Sequence, residues 1–277
     1  MRFKPLLILG FALATSFSNI NAQRNYDIGI FFGLSHYMGD LQRYQFEILE
    51  VNRGEGIYGR YNFSNLLSFK AQLYHGVISG SDSNFKYDKG ILDRNLSFRS
   101  NVYEASFQWE LSVLRLGAKR RHWNKYLQKY LVTSYVFGGV GGFYFNPKAK
   151  YGEEWYELQP LGTEGQGMPG HRGKYNRLQV CVPFGFGIKI NPVERATIGL
   201  EFGFRKTFTD YLDDVSTVYP NLEALSERDP MAAALSWRGQ EISNDPATNP
   251  AGTNRGSVKY KDMYFFGGVT IGYYLAK

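Results

Sequence analysis

The sequence predicts an all-β fold: a transmembrane, up-and-down antiparallel β-barrel, most simply of eight strands. Three observations carry this. Apolar residues recur with a period of two over runs of about 10–16 residues, where soluble strands are typically ~5–6 residues and a tilted strand needs ~9–11 to cross a bilayer. The polar side of these runs collects charges and glycines from several strands, among them Lys70, Glu104, Glu110, Lys189, Glu201, Arg205 and Asp262. Inside a narrow barrel such charges pair, whereas a soluble sandwich turns that side to water and has no use for so many glycines. The gaps also alternate. Residues 36–55, 81–100, 147–175 and 210–258 are long, while 64–65, 117–129 and 192–193 are shorter. That is the rhythm of long outer loops and short periplasmic turns, with both termini in the periplasm.

Composition narrows the alternatives. The 277 residues include 21 Tyr, 21 Phe and 4 Trp, an aromatic fraction of 17% that argues against disorder. One cysteine, Cys181, rules out an internal disulfide framework. Beyond residue 22 no apolar run approaches the ~20 residues of a membrane helix.

Met1–Ala22 reads as a secretory signal peptide and 23–277 as the barrel domain. Arg2 and Lys4 precede the apolar stretch Leu6–Ala14, and Ala22 suits the position before cleavage. No cysteine follows that could take a lipid anchor. Losing Arg2 and Lys4 lowers the formal charge from +7 to +5, too little to imply a nucleic-acid partner.

Each strand then follows from its own pattern. The first spans 25–35, with Ile28, Ile30, Phe32 and Leu34 on one side. The second, 56–63, runs through Asn62-Phe63-Ser64-Asn65, good tight-turn chemistry, into the third at 66–80. In the fourth, 101–116, Tyr103, Ala105, Phe107, Trp109, Leu111 and Val113 oppose polar neighbours. The fifth, 130–146, has an ambiguous face because of Gly138, Gly139, Gly141 and Gly142. The sixth, 176–191, ends at Asn191-Pro192, and Pro183 within it predicts a bulge or bend. The seventh, 194–209, alternates from Ile198 to Phe204, and the eighth, 259–275, from Met263 to Leu275. Leu41–Val51 leaves ten strands open. Aromatic girdles are expected near strand ends, from Tyr26, Tyr61, Phe63, Tyr103, Phe143, Phe145, Tyr273 and Tyr274. In the loop 210–258, short helices are expected at Leu222–Leu225 and Met231–Leu235.

Several motifs resemble a known family. Tyr37-Met38-Gly39-Asp40-Leu41 and Arg60-Tyr61-Asn62-Phe63 are similar to a pattern in PorG-like outer-membrane β-barrels of the type IX secretion system, found in Bacteroidetes-type bacteria. So are Phe208–Tyr219, the most specific match, and Lys261–Gly268. The resemblance covers essentially the whole mature chain. It implies no catalysis and no cofactor. It implies an outer-membrane component that associates with a periplasmic PorK–PorN-type ring, supporting protein export and, in some bacteria, gliding motility.

Polar clusters were weighed for chemistry. His36, His75, His122 and His171 fall on four separate segments without metal or catalytic spacing. An enzyme acting on lipid or peptide at the outer rim would need His36 or His171 beside a carboxylate or Ser. Asp210, Asp213 and Asp214 lack the alternate spacing of a calcium loop and read as a structural clamp at the barrel mouth, with Tyr211 between them. Gly138-Gly139-Val140-Gly141-Gly142 has no following Lys-Ser/Thr and is no phosphate loop. Cys181 reads as inert inner packing. The turn 119–129 carries Lys119, Arg120, Arg121, Lys125 and Lys129 with no acid. It is the candidate partner-binding turn, with Trp123 and Tyr126 as anchors, or equally a turn resting on anionic lipid headgroups. A surface adhesion barrel using the long loop 210–258 is the remaining alternative.

Overall fold

The computed structural model describes residues 26–42, 50–85, 89–116, 131–193, 195–242 and 250–275. The signal segment Met1–Ala22, His122 and the whole of Lys119–Lys129 lie outside them. Nine strands form one antiparallel sheet: β1 Tyr26–Met38, β2 Asn52–Asn62, β3 Leu67–Ser81, β4 Ser97–Leu116, β5 Leu131–Tyr151, β6 Glu154–Glu157, β7 Leu178–Val193, β8 Ala196–Thr207 and β9 Met263–Tyr274. Pairing of β4 with β5 and of β1 with β9 closes eight of them into a barrel. β6 is a short addition that pairs only with the end of β5. No helix among the described residues is long and apolar enough to cross a membrane.

Closure has a definite stagger. Directly paired residues run Tyr26, Tyr61, Phe69, Trp109, Gly138, Phe184, Phe204 and Phe265, and return to β1 at His36. The shift from residue 26 to residue 36 is a shear of ten residues, which tilts the strands by roughly 40° in a barrel of this size. One end carries the connections 63–66 and 194–195 together with both chain ends of the barrel. The other carries the long connections 39–51, 82–96, 152–177 and 208–262. At the turn between β2 and β3, Ser64 Oγ accepts hydrogen bonds from the Leu66 and Leu67 amides at 3.1 and 3.0 Å.

The period of two sorts side chains by face. Ile28, Phe32, Leu73, Phe107, Val140, Val180, Phe186 and Leu200 are exposed on the outside. On β5 the ambiguity resolves: Val140 faces out, while Tyr135, Phe137, Phe143 and Phe145 face in. Phe143 and Phe145, expected in a girdle, are therefore corrected to core residues at 1% and 0% exposure. The turn-end girdle is built instead by Tyr26 against Tyr61, Tyr61 against Phe63 and Phe63 against Trp109, at 4.8, 4.6 and 5.6 Å between ring centroids. The bulge expected at Pro183 is also absent. Pairs on both sides of it, Gly138–Phe184 and Gly141–Cys181, keep one register; the ladder merely skips the pairs where proline has no amide to donate. Irregularities occur elsewhere, at Ser112/Leu114 and Ile190/Val193.

Inside, four acids meet four bases. Lys70 Nζ lies 2.7 Å from both Glu201 oxygens, and the Tyr135 hydroxyl donates to Glu201 at 2.8 Å. Arg60 joins Asp27 at 3.2 Å and Glu110 at 2.9 Å, and Lys189 reaches Glu110 at 3.4 Å. Higher up, Arg205 and the Tyr264 hydroxyl donate to Glu104 at 3.0 and 2.9 Å. The Tyr264 hydroxyl also lies 3.6 Å from Cys181 Sγ. Rings including Phe31, Tyr74, Phe98, Phe143, Phe145 and Phe266 fill the barrel around the Arg205–Glu104 pair and on toward the long loops. An eight-stranded barrel is just wide enough for such filling.

Candidate functional site: the loop-end clamp

The sequence motifs converge where the barrel opens toward its long loops. Tyr37, the inward residue near the end of β1, donates its hydroxyl to Asp213 at 2.6 Å and lies 3.2 Å from Asp262. Asp262 also accepts from the Leu212 amide at 2.9 Å, and Asp213 from the Val215 amide at 2.9 Å. Asp213 and Asp262 thus pin the 209–219 segment to both strands at the loop end of the β1–β9 seam. Gly39 is required by this packing, because a Cβ there would overlap the Tyr37 hydroxyl and an Asp262 oxygen. Asp40 accepts from the Ser257 amide at 2.7 Å, and Leu41 is fully buried.

A second knot lies beside it. Asp210 accepts from Ser216 Oγ at 2.7 Å. Asp214, in the left-handed region at φ 68, accepts from Tyr175 at 2.7 Å and from the Thr163 hydroxyl. Glu164, which the sequence reading missed, accepts from the Ser216 and Thr217 amides at 2.8 and 3.0 Å, from the Thr217 hydroxyl at 2.6 Å and from Arg255 at 3.3 Å. Arg255 also donates to the Asp214 carbonyl. Arg94 pairs with Asp82 at 2.6 Å and donates to the Asp40 carbonyl at 3.2 Å, tying in the 82–96 loop. None of these partners could be found from spacing, since Glu164, Arg94 and Arg255 lie on three different loops.

The helices of the longest loop serve the same closure. After α1 Lys89–Arg94 and α2 Leu158–Leu161 in the preceding loops, α3 Leu222–Arg228 is capped by Asn221 and α4 Pro230–Ser236 by Asp229. Side-chain oxygens at these caps accept the first free amides, with Pro230 occupying the position where no amide is needed. Leu225 and Leu235 turn inward.

Burial governs the electrostatics. It raises Asp40 to about 6, with Asp210 and Glu164 adding to it against the Ser257 amide and Arg94. It raises Asp214 to about 6 against the pull of Arg255. Asp213 and Asp262 are pushed well above the usual carboxylate range by burial, with Asp40 adding to the rise of Asp213 and Asp213 to that of Asp262. Tyr175 rises for the same reason, beside Asp214. Burial opposes the charge on Arg255, but Glu164 and Asp214 together hold it above its ordinary value.

The expected clamp residues Gly39, Asp40, Leu41, Asp210, Tyr211, Asp213 and Asp214 are thus gathered at one end of the barrel. Among the described residues no three of His, Cys, Asp or Glu are arranged to hold a metal ion. The histidines stay apart. His36 is buried with Nε2 2.6 Å from Gln42 Nε2. His75 sits on the outer face, 3.0 Å from Glu55 and stacked on Tyr103. His171 lines a cleft of about 250 Å³ with Gln166, Arg172 and Tyr211.

A closed barrel with an apolar exterior, paired charges within and long loops at one end defines a β-barrel of the outer-membrane class. Within that class the chain belongs to the family described as "Domain of unknown function (DUF6089)", whose model matches residues 4–227. No curated protein matches the sequence. Among solved structures it is similar to Ail, the attachment invasion locus protein of Yersinia pestis, at 10% identity over 90% of this chain and 98% of that one, with a TM-score of 0.39. Neisserial surface protein A is similar at 6% identity over 92% and 100%, TM-score 0.41. The N-terminal barrel domain of Pseudomonas aeruginosa OprF is similar at 10% identity over 90% and 96%, TM-score 0.36.

Proposed function

We propose that this protein is a non-enzymatic outer-membrane barrel of a type IX protein secretion machine, docking a periplasmic PorK–PorN-type ring to the membrane. In this reading the loop end faces outward, the termini and turns face the periplasm, and the barrel supports export or gliding motility. The observation that carries it is the filled lumen. Four buried ion-paired acids, four bases and packed rings leave the barrel no room to act as a solute channel, so its function resides at its ends. The loop end is locked by its own clamp. The turn end offers the basic segment Lys119–Lys129, whose charges would steer an acidic partner while Trp123 and Tyr126 anchor it.

The test is affinity isolation from outer membranes. Replacing Lys119, Arg120, Arg121, Lys125 and Lys129 with Ser should strongly reduce recovery of periplasmic ring proteins while heat-modifiable gel migration shows the barrel still folded. Undiminished recovery from the folded variant would remove the turn from the account.

A further inference from the structure

The loop-side rim is unevenly charged. Over β3, β5 and β7, outward polar groups meet carboxylates: His75 lies 3.0 Å from Glu55, Lys148 and Arg177 lie 3.1 and 2.9 Å from Glu157, and Lys150 lies 3.1 Å from Glu153. Over β8 and β9 the match is poorer. It is also poorer at Arg53 of β2 and Arg99 of β4, which are exposed and make no ion pair among the described residues, but β8 and β9 bring three lysines together. Lys206 is exposed two residues beyond Phe204 on the outward face of β8, and Lys259 and Lys261 are exposed where the chain enters β9. Lys206 and Lys259 make no ion pair among the described residues. Lys261 donates to the Val258 carbonyl at 3.5 Å, and among the described residues the one acid it reaches is Asp210, at 3.6 Å, whose side chain is itself 3% exposed.

Large apolar groups sit among these lysines. Phe208 is 57% exposed and Tyr260 69%, and the Lys259 ammonium lies 5.2 Å over the Tyr260 ring. Directly below runs a ladder of outward rings, Phe184–Phe204 at 5.7 Å and Phe204–Phe265 at 5.1 Å. The ladder belongs to the lipid-facing surface, so the next groups along the same strands stand at headgroup level. There the abundant anion is phosphate, and an ammonium on a long apolar stem with rings beside it suits that boundary. We propose that Lys206, Lys259 and Lys261, with Phe208 and Tyr260, form a docking surface for phosphate-bearing lipid headgroups of the leaflet around the loop end. This stands on the barrel's membrane setting and not on the secretion assignment.

Native mass spectrometry of the purified barrel tests it. The detergent-solubilised protein is incubated with dioleoylphosphatidic acid or dioleoylphosphatidylcholine and the retained lipid is counted. Phosphatidic acid should be retained preferentially. Lys206→Gln, which removes no described contact, should weaken retention about fivefold, and adding Lys259→Gln and Lys261→Gln about fivefold more for each. The control Lys148→Gln/Lys150→Gln/Arg177→Gln should leave retention unchanged. Equal retention of the two lipids overturns the proposal. So does unchanged phosphatidic acid binding by folded Lys206→Gln, the result expected if the lysines instead meet an acidic protein.

Discussion

Replacing Lys70 with Met should destabilise the barrel by about 3–5 kcal/mol, the usual cost of removing one partner from a buried ion pair. The structure supplies the reason. Lys70 Nζ touches both Glu201 oxygens at 2.7 Å, the two side chains are 1% and 3% exposed, and the nearest other base-to-acid contact, Lys70 to Glu110, is longer at 3.8 Å. Without the ammonium, Glu201 keeps only the Tyr135 hydroxyl at 2.8 Å. One neutral donor does not balance a carboxylate enclosed by Phe137 and Tyr58 rings, which stand 5.0 and 5.9 Å from the ammonium. The double variant Lys70→Met/Glu201→Gln removes both charges and leaves an amide oxygen for Tyr135. It should recover at least about 2 kcal/mol of the loss, because the uncompensated charge has gone. Urea titration of the detergent-folded protein, followed by tryptophan fluorescence and gel migration, measures all four corners of the cycle. A single-variant cost below about 1 kcal/mol, or a double variant no better than the single, would refute the enclosed-charge lumen.

Further outcomes follow from the same geometry. Gly39→Ala should loosen the clamp by about 1–3 kcal/mol through overpacking against Tyr37 and Asp262, visible as faster proteolysis within 209–219. Leu200→Arg, on the outward face in the middle of β8, should cost about 2–4 kcal/mol in lipid, and the same change at an outward position near a strand end about 0–1 kcal/mol; the readout is unfolding in vesicles. The raised carboxyls set a pH dependence. Asp40 and Asp214 have folded values of about 6 against an ordinary 3.8, so their protonated forms favour the clamp fully below pH ~4 and that contribution is lost as pH rises to about 6. Protection of the 209–219 amides, taken relative to the intrinsic exchange rate at each pH, should therefore fall across that window, and a flat protection profile would contradict the burial of both groups.

Most of the barrel was legible because lipid and lumen impose opposite demands on alternate residues. The strands expected at 176–191 and 194–209 are observed at Leu178–Val193 and Ala196–Thr207. The sequence reading failed where strands leave the bilayer. β2 begins at Asn52 rather than 56, β4 at Ser97 rather than 101, and β5 continues to Tyr151 rather than 146. In each extension the outward residues are polar: Arg53 and Glu55, Arg99, and Lys148 and Lys150. Beyond the lipid both faces meet polar surroundings, so the alternation that marks a strand disappears while its hydrogen-bond ladder continues. The clamp was legible in Gly39, Asp40, Leu41, Asp210, Tyr211, Asp213 and Asp214. Its cations come from the 82–96 and 208–262 connections, and its Glu164 from a loop whose positive-φ glycines, Gly162, Gly165, Gly167 and Gly170, shape a path that no periodicity encodes.

The two polar interiors of the molecule are built on different terms. In the lumen Asp27, Glu104, Glu110 and Glu201 meet Arg60, Lys70, Lys189 and Arg205 in direct pairs. In the clamp Asp40, Asp82, Glu164, Asp210, Asp213, Asp214 and Asp262 meet only Arg94, Arg255 and the partly exposed Lys261. Seven carboxyls against three cations leave buried acid in excess, and burial raises Asp40, Asp213, Asp214 and Asp262 above the usual carboxylate range. The clamp's cohesion is therefore proton-dependent in a way that the balanced lumen does not require. The loop end is thus where a change of pH is expected to act first.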